Sequence, residues 1–141
     1  MVAYSFKAQF VEPILTGRKH GTIRLVGKRR HARVGDDLQL YAGMRTRQCR
    51  LILRARCGLS LPILMRWAET PEIIIDGAKL DPQHFDSFAC SDGFTGFEAM
   101  ARFWRDTHAE VQVFPGQWTK WFPPPGPVEM GADVRPMEKA A

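Results

Sequence analysis

The stretch TRQCRLILRARC, residues 46–57, decides the fold. Cys49, Leu51, Leu53, Ala55 and Cys57 fall in one phase of a two-residue period, and Gln48, Arg50, Ile52, Arg54 and Arg56 in the other. Successive side chains of a strand point to opposite faces, so the stretch predicts a half-buried strand with three arginines on its outer face. Upstream, LQLYAG (38–43) alternates Leu38, Leu40 and Ala42 against Gln39 and Tyr41, and predicts a second half-buried strand.

Moving outward, AYSFKAQF (3–10) reads as a first strand and VEPILTG (11–17) as a short helix. Pro13 suits an early helical position, and Gly17 suits the left-handed cap at the end. KHGTIRLV becomes strand-like towards Val26, and GKRRHARVGDD (27–37) is a charged loop. EIIID followed by DGAK predicts a hairpin between residues 72 and 80. Asp81 before Pro82 predicts a helix over 82–90. Thr95 with Glu98 three residues later reads as a capping box. Phe97, Met100, Ala101 and Trp104 then repeat at helical spacing, which predicts core packing. VQVF and QWTKWF read as closing strands joined by a turn at Pro115-Gly116.

Short strands dominate, two or three short helices lie among them, and no alternating βα rhythm is present. The expected class is α+β, built on a small β-barrel. A length of 141 residues suits one domain, assigned to residues 1–122. PPPGPVEMGADVRPMEKAA (123–141) has too little apolar surface to offset ordering entropy and is expected to be a flexible tail.

The formal charge of +5 is unevenly spread. Residues 1–58 hold 13 Lys/Arg against 3 Asp/Glu, and residues 59–141 hold 7 against 12. Such a basic half-chain points to a polyanionic partner, nucleic acid first. Lys28, Arg29, Arg30, Arg33 and Arg45 are the expected phosphate contacts. No apolar run approaches the ~20 residues of a membrane span, and the start lacks a leader's apolar segment, so no membrane partner is expected and the location is expected to be cytoplasmic. Cys49, Cys57 and Cys90 form no CxxC pair and are expected to be buried free thiols. Neither His nor carboxylate spacing suggests a metal site, and no cofactor is implied; a dependence on divalent metal is not legible here.

GRKHGTIR (17–24) carries the densest chemistry. On an extended chain Thr22 and Arg24 point to one face, and Lys19 can fold back beside Thr22. A hydroxyl flanked by two cations serves as an anion pocket, or as a nucleophile if a lysine with a lowered pKa acts as base.

This segment matches the G-x-K-x-x-T-x-R signature of the ASCH domain, a branch of the PUA-like superfamily. GDDLQLY follows it, DGF heads the aromatic helix GFEAMARFW, and a Trp-bearing strand closes the set, so the resemblance spans roughly residues 4–122. It implies a small PUA-like barrel with helices at its openings and a cleft for RNA or a nucleoside or nucleotide. Some ASCH proteins are amidohydrolases of N4-acylated cytidine that use a Lys, a Thr and a Glu. Lys19 and Thr22 match the first two, and Asp92 stands in the place of the carboxylate. Others cleave RNA with a Tyr and a basic residue, matched by Tyr41 and Arg47.

The leading expectation is therefore an RNA-binding ASCH-domain hydrolase that cleaves single-stranded RNA. Arg24, Arg45 and Arg47 would face the phosphate, Tyr41 or Lys120 would donate to the leaving oxygen, and Trp118 or Trp121 would stack a base. The alternatives are an N4-acylcytidine amidohydrolase using Lys19, Thr22 and Asp92, and a non-catalytic RNA-binding module.

Overall fold

The computed structural model describes residues 2–108 and 112–122. Seven strands are present among them: β1 (Val2–Phe6), β2 (Gly21–Leu25), β3 (Asp37–Ala42), β4 (Arg50–Arg66), β5 (Glu72–Ile75), β6 (Ala78–Lys79) and β7 (Val113–Phe122). The helices are α1 (Val11–Thr16), α2 (Phe85–Ser91) and α3 (Phe97–Thr107), and 3-10 turns at Ala8–Phe10 and Pro82–His84 lead into the first two. The class is α+β, a curled half-barrel sheet with three short helices. Residues 123–141, including the expected tail, lie outside the described residues.

β4 organises the sheet. Its first part pairs with β3, Arg56–Arg66 pair with β7, and its last four residues also pair with β5. β1 joins β3 in parallel and β2 joins β7 antiparallel. The path β1–β3–β4–β7–β2 thus has β1 and β2 as its two ends. One side chain spans them: Arg24 Nη2 on β2 donates to the Ser5 carbonyl on β1 at 2.6 Å.

Leu38, Leu40, Ile52, Met65, Met100 and Phe114 are fully buried. Each such side chain contributes about 1.5–3 kcal/mol through removal from water. Met100, Ala101 and Trp104 bury one face of α3, as their spacing predicts.

The decisive strand departs from its simple alternation. It begins at Arg50, so Cys49 lies outside it and is exposed, while Cys57 is buried. Leu40 pairs with Leu53 and Tyr41 with Leu51, leaving Ile52 without a partner. This extra residue shifts the phase, and Ile52 turns into the core beside Leu53 instead of outward with the arginines.

Other boundaries move as well. β1 ends at Phe6, and residues 8–10 form a 3-10 turn, not strand. The hairpin over 72–80 forms, with Asp76 and Gly77 at φ 50° and 83° in its turn. Pro115-Gly116 makes no turn, because β7 runs through it as one strand. The exposed Pro115 presents its carbonyl to the Val26 N–H at 3.0 Å. At Gly116 a Cβ would come within 2.8 Å of the Arg24 carbonyl, so the missing side chain lets β2 approach.

The Thr95–Glu98 capping box does not form. Gly96 occupies the N-cap of α3, and Asp86 Oδ1 on α2 accepts the Phe97 N–H at 2.9 Å. A carboxylate from another helix has taken the local cap's role. Asp81, by contrast, accepts the Gln83 N–H at 3.0 Å as its position predicts.

Candidate functional site

The site begins with the end of α1. Gly17 takes the left-handed conformation at φ 83°, and the Lys19 N–H returns to the Pro13 carbonyl at 2.8 Å. This reversal turns Lys19 inward, where only 2% of it remains exposed. β2 then carries Thr22 into the interior, directly opposite Thr119 of β7.

Asp92 comes from a distant part of the sequence, at the C-terminus of α2. Its N–H caps the helix through the Phe88 and Ala89 carbonyls. Lys19 Nζ donates to the Asp92 carbonyl at 2.6 Å and to Asp92 Oδ1 at 3.1 Å. Gly93 follows at φ 96°, and a Cβ there would lie 2.8 Å from Lys19 Cδ. Both the backbone conformation and the passage of Lys19 require glycine at that position.

Aromatic rings enclose the pair. Lys19 Nζ lies 4.8 Å from the centre of the Phe10 ring and 5.6 Å from that of Phe6. Phe10, Phe94 and Phe103 pack against one another with centroids 5.3–5.8 Å apart. Arg24 stacks over Tyr4 and Phe6 at 5.2 and 4.8 Å. All of these groups except Tyr4 line a cavity of about 360 Å³, within the size range of small-molecule sites.

Burial dominates the electrostatics. It pushes the Lys19 ammonium below its ordinary pKa, against the opposing attraction of Asp92, and Arg24 adds a smaller downward push. It pushes the Asp92 carboxyl above its ordinary value, against Lys19 and Arg24. The Arg24 guanidinium is also lowered, chiefly by burial. Both members of the pair are thus driven towards their neutral forms.

Lys19, Thr22, Arg24 and Asp92 therefore meet around one cavity, as the motif reading expects. Tyr41 and Arg47 do not line it. The Tyr41 hydroxyl donates to Gln39 Oε1 at 3.0 Å, and Arg47 is exposed on the turn before β4. Lys28, Arg29, Arg30, Arg33 and Arg45 are exposed on loops. Trp118 packs on Phe88 at 5.2 Å, and Lys120 Nζ lies 5.5 Å from the Trp118 ring. Neither of these two lines the cavity. Arg18 is exposed, and His20 borders a separate groove beside Leu15 and Trp121.

Sequence reasoning missed Ser5, Lys7, Phe10, Phe94 and Phe103 as cavity walls. The aromatic run after DGF was the available signal, but helical spacing alone does not separate a core ring from a cavity ring. Among the described residues no cluster of three or more His, Cys, Asp or Glu could hold a metal ion. No helix among them is long and apolar enough to cross a membrane. No family model matches the chain, and neither a curated protein nor a solved structure matches it.

Proposed function

We propose that this chain is a hydrolase of a small N-acylated nucleobase derivative, of the N4-acylcytidine class, carried on a PUA-like barrel of the ASCH type. The observation that supports this reading is the buried Lys19–Asp92 pair sharing one aromatic-walled cavity with Thr22 and Arg24. The G-x-K-x-x-T-x-R motif supplies three of these four residues.

The chemistry follows from the burial. Desolvation narrows the free-energy gap between the ion pair and the neutral pair, so Lys19 passes its proton to Asp92 at low cost. The free amine then takes the Thr22 hydroxyl proton as Thr22 Oγ1 bonds to the acyl carbon. Arg24 faces the oxyanion that develops. When the C–N bond breaks, the proton returns through Lys19 to the leaving amine of the base. Water then cleaves the acyl–Thr22 ester, releasing the carboxylic acid and restoring the hydroxyl. Asp92 acts here as proton store and orienting group for Lys19, a role in which its shorter side chain is accommodated by the 3.1 Å contact.

This ordering differs from the leading expectation of RNA cleavage, because Tyr41 and Arg47 stand away from the cavity. The RNA-binding reading keeps one supporting observation, the exposed cations at 28, 29, 30 and 33 on a single loop. N4-acetylcytidine turnover, followed by ultraviolet absorbance, tests the proposal. Turnover by the wild type that falls at least a hundredfold in Thr22→Ala and in Lys19→Met is expected. Equal rates in wild type and Thr22→Ala would sink the reading. Cleavage of labelled single-stranded RNA by wild type and not by Tyr41→Phe would restore the ribonuclease instead.

A further inference from the structure

A second concavity, of about 420 Å³, adjoins the first. The two share Ser5, Phe6 and Lys7, where β1 ends, so that short segment forms a common wall. The far side of the second concavity is the turn between β3 and β4, with Gly43, Thr46 and Gln48, together with Arg50 at the start of β4. Its charged side chains are Lys7 and Arg50. Both are exposed, and neither pairs with a carboxylate among the described residues. The Lys7 ammonium stands 4.9 Å from the centre of the Phe103 ring, at the border between the two spaces.

The two spaces differ in chemistry. The first is walled by aromatic rings and its carboxylate, Asp92, is already paired with Lys19. The second has two cations without a counter-charge and no acidic group in its lining. A flat ring with a phosphate a few bonds away matches that order of surfaces. Cationic side chains bind phosphate oxygens through charge-assisted hydrogen bonds, and arginine does so in bidentate geometry.

We propose that the second concavity is a phosphate subsite, with Lys7 and Arg50 as its ligating side chains, so that the substrate is a nucleotide and not a bare nucleoside. This rests on the small-nucleobase reading of the first cavity and adds to it the charged part of the substrate. It also gives the basic half-chain a use in a site for a small ligand. Neither Lys7 nor Arg50 belongs to the motif that carries the proposed hydrolysis.

Isothermal calorimetry at low and moderate salt tests it, with cytidine, cytidine 5′-monophosphate and the dinucleoside monophosphate CpC as probes. Wild type is expected to bind at least one of the phosphate-bearing probes about tenfold more tightly than cytidine, and to lose that margin as salt rises. Arg50→Gln, and independently Lys7→Gln, is expected to reduce the ratio to about two or less. Tighter binding of the mononucleotide identifies a monoester, and tighter binding of CpC identifies a strand phosphodiester. Equal affinity for cytidine and both phosphate probes overturns the subsite, as does a preference that survives both substitutions. Melting temperatures within about 2 °C of wild type check that the exposed substitutions leave the fold intact. The two proposals fail separately. Phosphate preference without N4-acetylcytidine turnover removes the proposed reaction and keeps the subsite, and turnover without phosphate preference does the reverse.

Discussion

Lys19 Nζ lies 3.1 Å from Asp92 Oδ1 and 2.6 Å from the carbonyl of the same residue, with both side chains almost wholly out of water. Breaking a buried pair strands one charge in a medium that does not solvate it, which costs about 3–5 kcal/mol. Asp92→Leu alone is expected to lose stability of that order. Lys19→Met/Asp92→Leu should recover more than half of the loss, because no ion then remains to be desolvated. Denaturant titrations of the two single variants and the double variant give the coupling, and additive losses would count against a tight pair.

The same pair sets a pH dependence. The folded-state pKa of Lys19 lies below its ordinary value of 10.5, so the unfolded chain binds more protons between the two and stability rises with pH across that window. The folded-state pKa of Asp92 lies above its ordinary value of 3.8, so the folded chain binds more protons there and stability falls as pH rises through that window. Comparing unfolding free energies over about pH 4 to 10, Lys19→Met should lose the alkaline rise attributable to Lys19, and Asp92→Asn the acid-side fall attributable to Asp92.

Gly93 and Gly17 separate two costs. Both have left-handed backbones, at φ 96° and 83°, but only at Gly93 would a Cβ collide, with Lys19 Cδ at 2.8 Å and Phe10 Cδ1 at 3.1 Å. Gly17→Ala should cost about 1 kcal/mol, the conformational part. Gly93→Ala should cost about 2 kcal/mol or more and should also displace Lys19. Thermal melts measure the first difference, and N4-acetylcytidine turnover the second.

Arg24 holds the two end strands together through the Ser5 carbonyl and the Tyr4 and Phe6 rings. Lysine keeps the charge and loses the planar stack. In Arg24→Lys, hydrogen exchange should quicken by at least fivefold in peptides covering 2–6 and 21–25, while β4 keeps its wild-type protection. Uniform acceleration would indicate global destabilisation instead.

The cap of α3 comes from Asp86. Asp86→Ala is expected to cost about 1 kcal/mol, the usual worth of an N-cap carboxylate, and Thr95→Ala less than about 0.5 kcal/mol. Denaturation midpoints of the two variants decide between them.

Much of this architecture follows from local pattern, because helix and strand periods, caps and turns depend on a few neighbouring residues. The alternation of Leu38, Leu40 and Ala42 marked β3, the spacing of Met100, Ala101 and Trp104 marked the buried face of α3, and Gly17 and Asp81 marked helix ends. The motif from Gly17 to Arg24 likewise placed three site residues on one stretch of chain.

The sequence by itself thus determined the α+β class, the inward faces of β3 and α3 and the group Lys19, Thr22 and Arg24. The tertiary structure decided what those groups meet. Asp92 lies 73 residues from Lys19 and reaches it only because α2 ends where α1 turns into β2. The register offset between Leu40 and Tyr41 sends Ile52 inward, and the close approach of β2 at Gly116 keeps a Pro-Gly pair inside a strand. Asp86, not Thr95, caps α3 because another helix brings its carboxylate to the open N–H. Each is a contact between distant segments, set by packing and pairing across the whole sheet, and no local period encodes it.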